Sequence, residues 1–211
     1  SNSLIFYQNN ENLPYLNYLQ AIASQMSQVT DMVHQDWIAT RDAFVSSSEN
    51  TATSSLNMLT NDFIYYFEKG LRTNKFGIPA GVFSANNTRS ANVEAYYNTT
   101  QSKVLSLEAL VAVEGFFKGK AYNSTAVGAS LKSYLDYMTE NSTISAAIIT
   151  KFTDSEQLIN MLDDNFSFQV TSNNNLMVDV FNKLQEGVVL LKTDMLSALS
   201  ISVDYIDADG D

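Results

Sequence analysis

The sequence predicts an all-α protein made of antiparallel helical bundles. Apolar residues recur every three or four positions over most of the 211 residues, which is the spacing of one helical face. Glycine and proline, which interrupt helices, occur only eight and two times. Long helices joined by short loops form up-and-down bundles. Because the helices outnumber those of one four-helix bundle, either two bundles share the chain or one bundle includes helices of a larger whole.

Six helices follow from the apolar faces and from the residues that interrupt them. The first face runs from Leu16 to Phe44, and Pro14 lies near its start, where proline is tolerated. Glycine and proline between Asn74 and Gly81 predict a loop that continues to about Ser90. The tail at 201–206 alternates but is too short to predict a sheet strand. The predicted helices cover about 13–46, 51–73, 91–118, 125–140, 143–164 and 174–199.

Composition and charge exclude several classes of protein. The chain has no cysteine, which excludes a disulfide scaffold, a thiolate zinc site and a cysteine nucleophile. The net charge is −11, and the only cationic cluster is Lys69, Arg72 and Lys75, so we expect no nucleic-acid partner. No stretch approaches the roughly 18–20 apolar residues that span a bilayer, so we expect no transmembrane segment.

Two isolated side chains are candidates for chemistry. His34 lies beside Asp31 and Asp36 on the first helix and could bind a metal or act as a general base. Because it is the single histidine, we favour a histidine that lies on the helix surface or makes an ordinary hydrogen bond. Glu114 follows an apolar stretch and could be a buried acid with a raised pKa. We favour a position at the edge of the apolar stripe, where Glu114 reaches solvent or a lysine. We predict no catalytic residue.

The C-terminal acidic residues and one loop are further candidates. Asp207, Asp209 and Asp211 resemble the opening of a calcium loop, in which alternate carboxylates face one ion. They are candidate metal ligands, although the downstream glutamate of an EF-hand is absent and a solvated tail is the favoured interpretation. The other candidate is the rim of a ligand pocket, because glycine-rich irregular chain often lines a cleft. Its residues are Gly77, Pro79 and Gly81.

Several blocks of sequence occur in a familiar order over nearly the whole chain. They are LIF at 4–6, YLNYL at 15–19 leading to Trp37, KFGIPAGVF at 75–83, VEAYY at 93–97 through FFKG at 116–119, and DMLSAL at 194–199 before the final DGD. In this order they resemble the imelysin-like family, which includes an insulin-cleaving metalloproteinase and iron-regulated envelope proteins. The resemblance implies a two-bundle helical architecture in a bacterial cell-envelope protein, in the periplasm or at the outer-membrane surface, with a lipoprotein anchor upstream.

The resemblance also implies a link to metal or iron acquisition, a divalent metal as cofactor and, in some members, peptidase activity. The family signature G-x-H-x-x-E is absent, because His34 is followed by Gln35-Asp36-Trp37. No family metal ligand or catalytic residue therefore maps onto this chain. We expect residues 4–211 to be the C-terminal portion of an imelysin-like protein, and residues 1–3 to be a tag remnant or a truncated start.

Three functions remain open at this point. The first is ligand binding linked to metal or iron acquisition, with a small ligand or a metal as partner. The second is a metallopeptidase whose metal ligands lie outside this chain. The third is a non-catalytic helical interaction domain whose apolar faces bind a missing N-terminal half or another copy. Only the third function requires an exposed apolar patch on the chain itself.

Overall fold

The structure, a computed structural model, describes residues 12–204 and confirms the all-α class. The described part contains no β-strand, and one isolated antiparallel bridge joins Lys120 and Val127. The chain divides into two compact units, Ser1–Ser48 and Glu49–Asp211. The helices are α1 (Leu13–Ser46), α2 (Ser55–Tyr65), α3 (Ser102–Lys118), α4 (Leu131–Thr139), α5 (Thr143–Met161), α6 (Phe166–Ser172) and α7 (Asn174–Val189). Between residues 12 and 204, no helix has both the length and the apolarity needed to cross a membrane.

The described residues of the first unit form one uninterrupted helix, α1, whose bounds agree with the prediction. Pro14 occupies the first turn, where a missing N–H group costs no hydrogen bond. The hydroxyls of Thr30 and Thr40 donate to carbonyl oxygens one turn back, at 2.8 and 2.7 Å. None of the 34 residues of α1 is buried. The helix therefore exposes its apolar face as well as its polar face.

Two helices of the second unit continue into π-helical turns. After α2, the segment Tyr66–Gly77 is π-helical and leads into a last α-turn at Ile78–Ala80. After α7, Leu190–Met195 is π-helical and Leu196–Leu199 returns to α-geometry. Most π-helices are single turns inserted into an α-helix, so the 12-residue segment is exceptionally long. These turns change which side chains face the core.

Aromatic rings form the centre of the second unit. Phe67, Phe117 and Phe152 are fully buried, and the rings of Phe67 and Phe117 lie 5.4 and 5.9 Å from that of Phe152, both edge to face. Gly187 of α7 lies against Phe67, where an added Cβ would be 3.1 Å from the ring. Four segments pack around this centre: the continuation of α2, α3, α5 and α7. The helix α4 lies against α3 and α5, and α6 lies against α7.

The predicted loop at 74–81 is wrong, because the helix continues to Ala80. Pro79 lies in the last turn, Ile78–Ala80, where it removes one N–H donor of the continuing helix, and the helix ends one residue later. Gly81 then adopts a φ of +79°, a left-handed conformation that glycine reaches without strain and that ends the helix. The irregular chain begins here, several residues later than the glycine and proline content predicts.

The predicted starts of two further helices are also wrong. The helix expected from 91 begins at Ser102, because Ala95 has a φ of +56° and Asn98-Thr99-Thr100 favour helix poorly. The hydroxyl of Ser102 donates to the carbonyl of Glu94 at 2.7 Å, which fixes the intervening turns. The helix expected from 125 begins at Leu131, where Ser130 and Ser133 form a capping box.

The chain after α5 contains a short helix that the sequence interpretation missed. The predicted helix 143–164 ends at Met161, and α6 follows. The Asn165 side chain caps α6 by accepting a hydrogen bond from the Phe168 N–H group at 3.2 Å. The non-helical residues 201–204 are held by Asn61, whose side chain donates to the Ser202 carbonyl oxygen at 3.0 Å. Hydrogen bonds from polar side chains thus hold α6 and residues 201–204 in place, and apolar periodicity does not predict either position.

Replacing Phe152 tests the aromatic centre. We expect Phe152→Ala to lower the free energy of unfolding by about 3–5 kcal/mol, because it leaves a cavity against Phe67 and Phe117. Urea unfolding followed by circular dichroism measures this loss. Phe168→Ala is the matched control, because Phe168 is 55% exposed, and its effect should be much smaller. Equal losses in the two variants would contradict the assignment of the core.

An ion-pair group between α5 and α7 predicts a pH dependence of stability. Glu186 lies 2.8 Å from Lys151 Nζ and 3.0 Å from Lys183 Nζ. Hydrogen bonds from these two lysines hold the pKa of Glu186 below its ordinary value. A carboxylate with a lowered pKa stabilises the folded state above its ordinary pKa. This contribution is lost as the pH falls through the folded-state pKa.

We therefore expect Glu186→Gln to be less stable than wild type near neutral pH, with a difference that shrinks in acid. Urea unfolding at about pH 7 and about pH 3 measures both values. Asp179→Asn is the control, because Asp179 is an exposed carboxylate on α7 with no ion pair among the described residues. A Glu186→Gln deficit that is the same at both pH values is the outcome that contradicts the prediction.

Candidate functional site

The main candidate site is an exposed apolar stripe on α1. Its members, called the α1 stripe below, are Leu19, Ile22, Met26, Val29, Val33, Trp37 and Phe44. Phe44 is half-buried, and its ring lies 5.4 Å from that of Trp37, edge to face. The other six side chains are between 39% and 66% exposed. From Leu19 to Val33 the spacing alternates between three and four residues, as on the contact face of paired helices.

The opposite face of α1 is mainly polar, although the exposed side chains of Leu13 and Ile38 also lie on this side. A rotation of about 100° per residue places this second face half a turn away from the α1 stripe. The polar side chains of this second face are all exposed: Asn17, Ser24, Gln28, Asp31, Gln35 and Asp42. The helix therefore has one side suited to water and one side suited to another apolar surface. An exposed apolar surface of this extent is typical of a contact site between proteins.

The structure places the predicted site residues without bringing them together. His34 is exposed on α1, as the favoured interpretation had it. Within residues 12–204 no three His, Cys, Asp or Glu side chains are grouped so that they could hold a metal ion. The candidate metal ligands Asp207, Asp209 and Asp211 lie outside the described residues.

The residues predicted to form a pocket rim lie in the interior. Gly77, Pro79 and Gly81 are all buried. A Cβ at Gly77 would lie 2.7 Å from the ring of Phe83 and 2.8 Å from that of Phe181, so glycine is needed for this close contact. The segment packs against aromatic rings and presents no open rim at these three positions.

Glu114 behaves as the favoured interpretation predicts. It pairs with Lys118 one turn further along α3, and its side chain is 23% exposed. The predicted cationic cluster is divided between two environments. Arg72 is buried beside Glu68, and Lys75 pairs with Glu94. These two cations are therefore engaged with carboxylates.

The sequence interpretation missed a buried group of charges between the two π-helical segments. Glu68 and Arg72 lie on the first segment with side chains only 1% exposed, and Lys192 lies on the second. Glu68 Oε1 is 3.4 Å from Arg72 Nη2, and Oε2 is 2.7 Å from Lys192 Nζ. The guanidinium of Arg72 also lies over the ring of Phe181, 4.5 Å from its centre.

This buried group holds two chain segments together and leaves no accessible carboxylate for chemistry. Removing charged groups from water costs several kcal/mol per ion, and opposite charges at hydrogen-bond distance offset that cost. The one feature of the sequence that could indicate this ion pair is its spacing. Glu68 and Arg72 are four residues apart, and each follows an apolar residue, Phe67 or Leu71. Spacing of this kind is usually found on a solvated helix face, so it does not by itself indicate burial.

The second unit also has an apolar groove between α2 and α3. It has a volume of about 280 Å³ and is lined by Leu59, Asp62, Phe63, Tyr66, Ala112, Val113 and Phe116. The rings of Phe63 and Phe116 stack at 5.3 Å along one wall. Asp62 and Tyr66 contribute the only carboxylate and hydroxyl of the lining. The groove therefore fits apolar groups better than it fits a metal ion or a highly polar substrate.

The chain was compared with known protein families, curated proteins and solved structures. No protein-family model, curated protein or solved structure matches the chain.

Removing the Glu68 carboxylate tests the structural role of the buried charges. We expect Glu68→Gln to lower the free energy of unfolding by about 3–5 kcal/mol, because buried Arg72 and partly buried Lys192 lose the charge that they share. Glu114→Gln removes a partly exposed partner of Lys118 and should cost at most about 1 kcal/mol. Chemical denaturation of both variants measures the difference. A Glu68→Gln loss no larger than that of the control would show that the buried group does not stabilise the fold.

Proposed function

We propose that this chain is a non-catalytic helical interaction domain that binds another amphipathic helix through the α1 stripe. The observation that carries the proposal is a helix of 34 residues that buries none of them and yet has a continuous apolar face. Most helices in proteins are stabilised by packing of such a face rather than by intrinsic propensity. A partner helix would supply that packing.

Burial of the α1 stripe would contribute favourably to binding. Full burial of a large apolar side chain contributes roughly 1.5–3 kcal/mol. The six most exposed members of the α1 stripe retain about half of that contribution, since they are 39–66% exposed. Binding also costs rotational and translational freedom, which consumes part of the gain. The alternating spacing of the stripe allows side chains of two helices to interdigitate, as in recognition by amphipathic helices.

The two metal-linked functions that the imelysin-like resemblance implies stay predictions. Those functions are ligand binding in metal or iron acquisition and a metallopeptidase in the cell envelope. Residues 12–204 contain no group of three or more candidate metal-ligand side chains. The metallopeptidase would take its ligands from outside this chain, and the first function also allows a small ligand, so this finding tests neither. The feature that favours the interaction domain is the exposed apolar face of α1.

The single tryptophan provides a direct test. Trp37 lies in the α1 stripe, so its fluorescence reports whether the stripe is covered. We expect a blue shift and weaker acrylamide quenching when the full chain is titrated with a synthetic amphipathic helix that carries leucine on one face and alternating Glu and Lys elsewhere. The change should saturate. Absence of a saturable change would contradict the proposed function.

Two variants show whether the response comes from the α1 stripe. Ile22→Asp places a charge in the stripe and should weaken binding of the helical peptide by at least roughly tenfold, because that charge must be buried on contact. Ser24→Asp adds the same charge on the polar face and should bind like wild type. Equal weakening by both substitutions would mean that the stripe is not the binding surface.

A further inference from the structure

We infer that the partner of the α1 stripe is α1 of a second copy of this chain, packed antiparallel about a twofold axis between Val29 and Thr30. The inference rests on the proposed function and adds the identity and the direction of the partner helix. A twofold contact requires that one surface patch be complementary to itself when its direction is reversed. Four of the seven members of the α1 stripe meet this requirement in their spacing, and the charge distribution of α1 favours the same arrangement.

The spacing of the large side chains reads the same in both directions. Ile22, Met26, Val33 and Trp37 are separated by four, seven and four residues. Tyr15 and Phe44 each lie seven residues further out, one at either end. With about 100° per residue, all six positions fall within an arc of about 60° on the helix surface. The pattern is centred between residues 29 and 30, which is also the midpoint of Leu13–Ser46.

Reversal about this midpoint places side chains of unequal size against each other in the two inner layers. Ile22 of one copy then faces Trp37 of the second copy, and Met26 faces Val33. These two pairs each combine a long or aromatic side chain with a smaller branched one, which favours interdigitation, and at the ends Tyr15 faces Phe44. A parallel pair would instead place Trp37 against Trp37 and Met26 against Met26, so that two large side chains would occupy the same layer.

The charges of α1 also favour the antiparallel direction. Residues 13–30 contain no charged side chain. Residues 31–46 contain three acidic side chains and one basic side chain, with His34 neutral, and thus carry a net charge of −2. In a parallel pair the two acidic halves would lie side by side and repel each other. In an antiparallel pair each acidic half lies along an uncharged half, and the helix dipoles oppose each other favourably.

Engineered cysteines test the direction of packing, because the natural chain has none. In the antiparallel pair, residue 22 lies opposite residue 37 of the second copy, whereas the two copies of residue 22 are about 22 Å apart along the axis. A disulfide needs Cα atoms within about 7 Å. We expect a mixture of full-length Ile22→Cys and Trp37→Cys to form a mixed disulfide dimer under mild oxidation, and neither variant to cross-link alone.

Two controls complete the cross-linking experiment. Ser24→Cys places a thiol on the polar face, so a mixture of this variant with Trp37→Cys should remain uncross-linked. Circular dichroism of each variant confirms that α1 stays helical, since all three positions are exposed. Efficient cross-linking of Ile22→Cys with itself would indicate parallel helices and would overturn the inference.

Sedimentation equilibrium of the full chain tests the choice of a second copy as partner. We expect a monomer–dimer equilibrium whose dissociation constant rises at least roughly tenfold in Ile22→Asp and stays unchanged in Ser24→Asp. A chain that remains monomeric at every concentration overturns the inference. The peptide titration followed by Trp37 is a separate measurement, so a monomer that still binds the amphipathic peptide leaves the proposed function standing.

Discussion

The removal of large apolar side chains from water is the constraint on which both units of this chain depend. In the second unit, the buried rings of Phe67, Phe117 and Phe152 form an aromatic centre, and the surrounding helices pack around these rings. In the first unit, α1 presents side chains of the same kind at its surface. The same physical tendency that closes one unit therefore provides a driving force for association through the other.

Buried charge imposes the second constraint. Glu68 can lie in the interior because Arg72 and Lys192 bring opposite charge within hydrogen-bond distance. Both contributing segments are π-helical, and π-turns are frequently found where a side chain must leave the regular register of an α-helix. The change of register and the ion pairs thus occur at the same place. Together they fix α7 and its continuation against α2.

Some features of the candidate sites could be predicted from the sequence, and others could not. Apolar spacing predicts an apolar face on α1 but not that this face is exposed, because the same spacing fits a helix packed in a bundle. The surface position of His34 and the lysine partner of Glu114 follow from local sequence. The buried pair of Glu68 and Arg72 does not, because an ion pair four residues apart has the same pattern on a solvated face. The packing of Gly77 against Phe83 and Phe181 depends on residues distant in sequence.

Apolar periodicity is a local property of the chain, and it was enough to predict the all-α class, the bounds of α1 and the course of α7. The continuation of α2 through Pro79, the late start of α3 and the existence of α6 became apparent only in the folded protein. These features depend on hydrogen bonds and close contacts between segments, such as Ser102 with Glu94. A local pattern contains no information about which distant group will satisfy a given polar atom or which face will be enclosed.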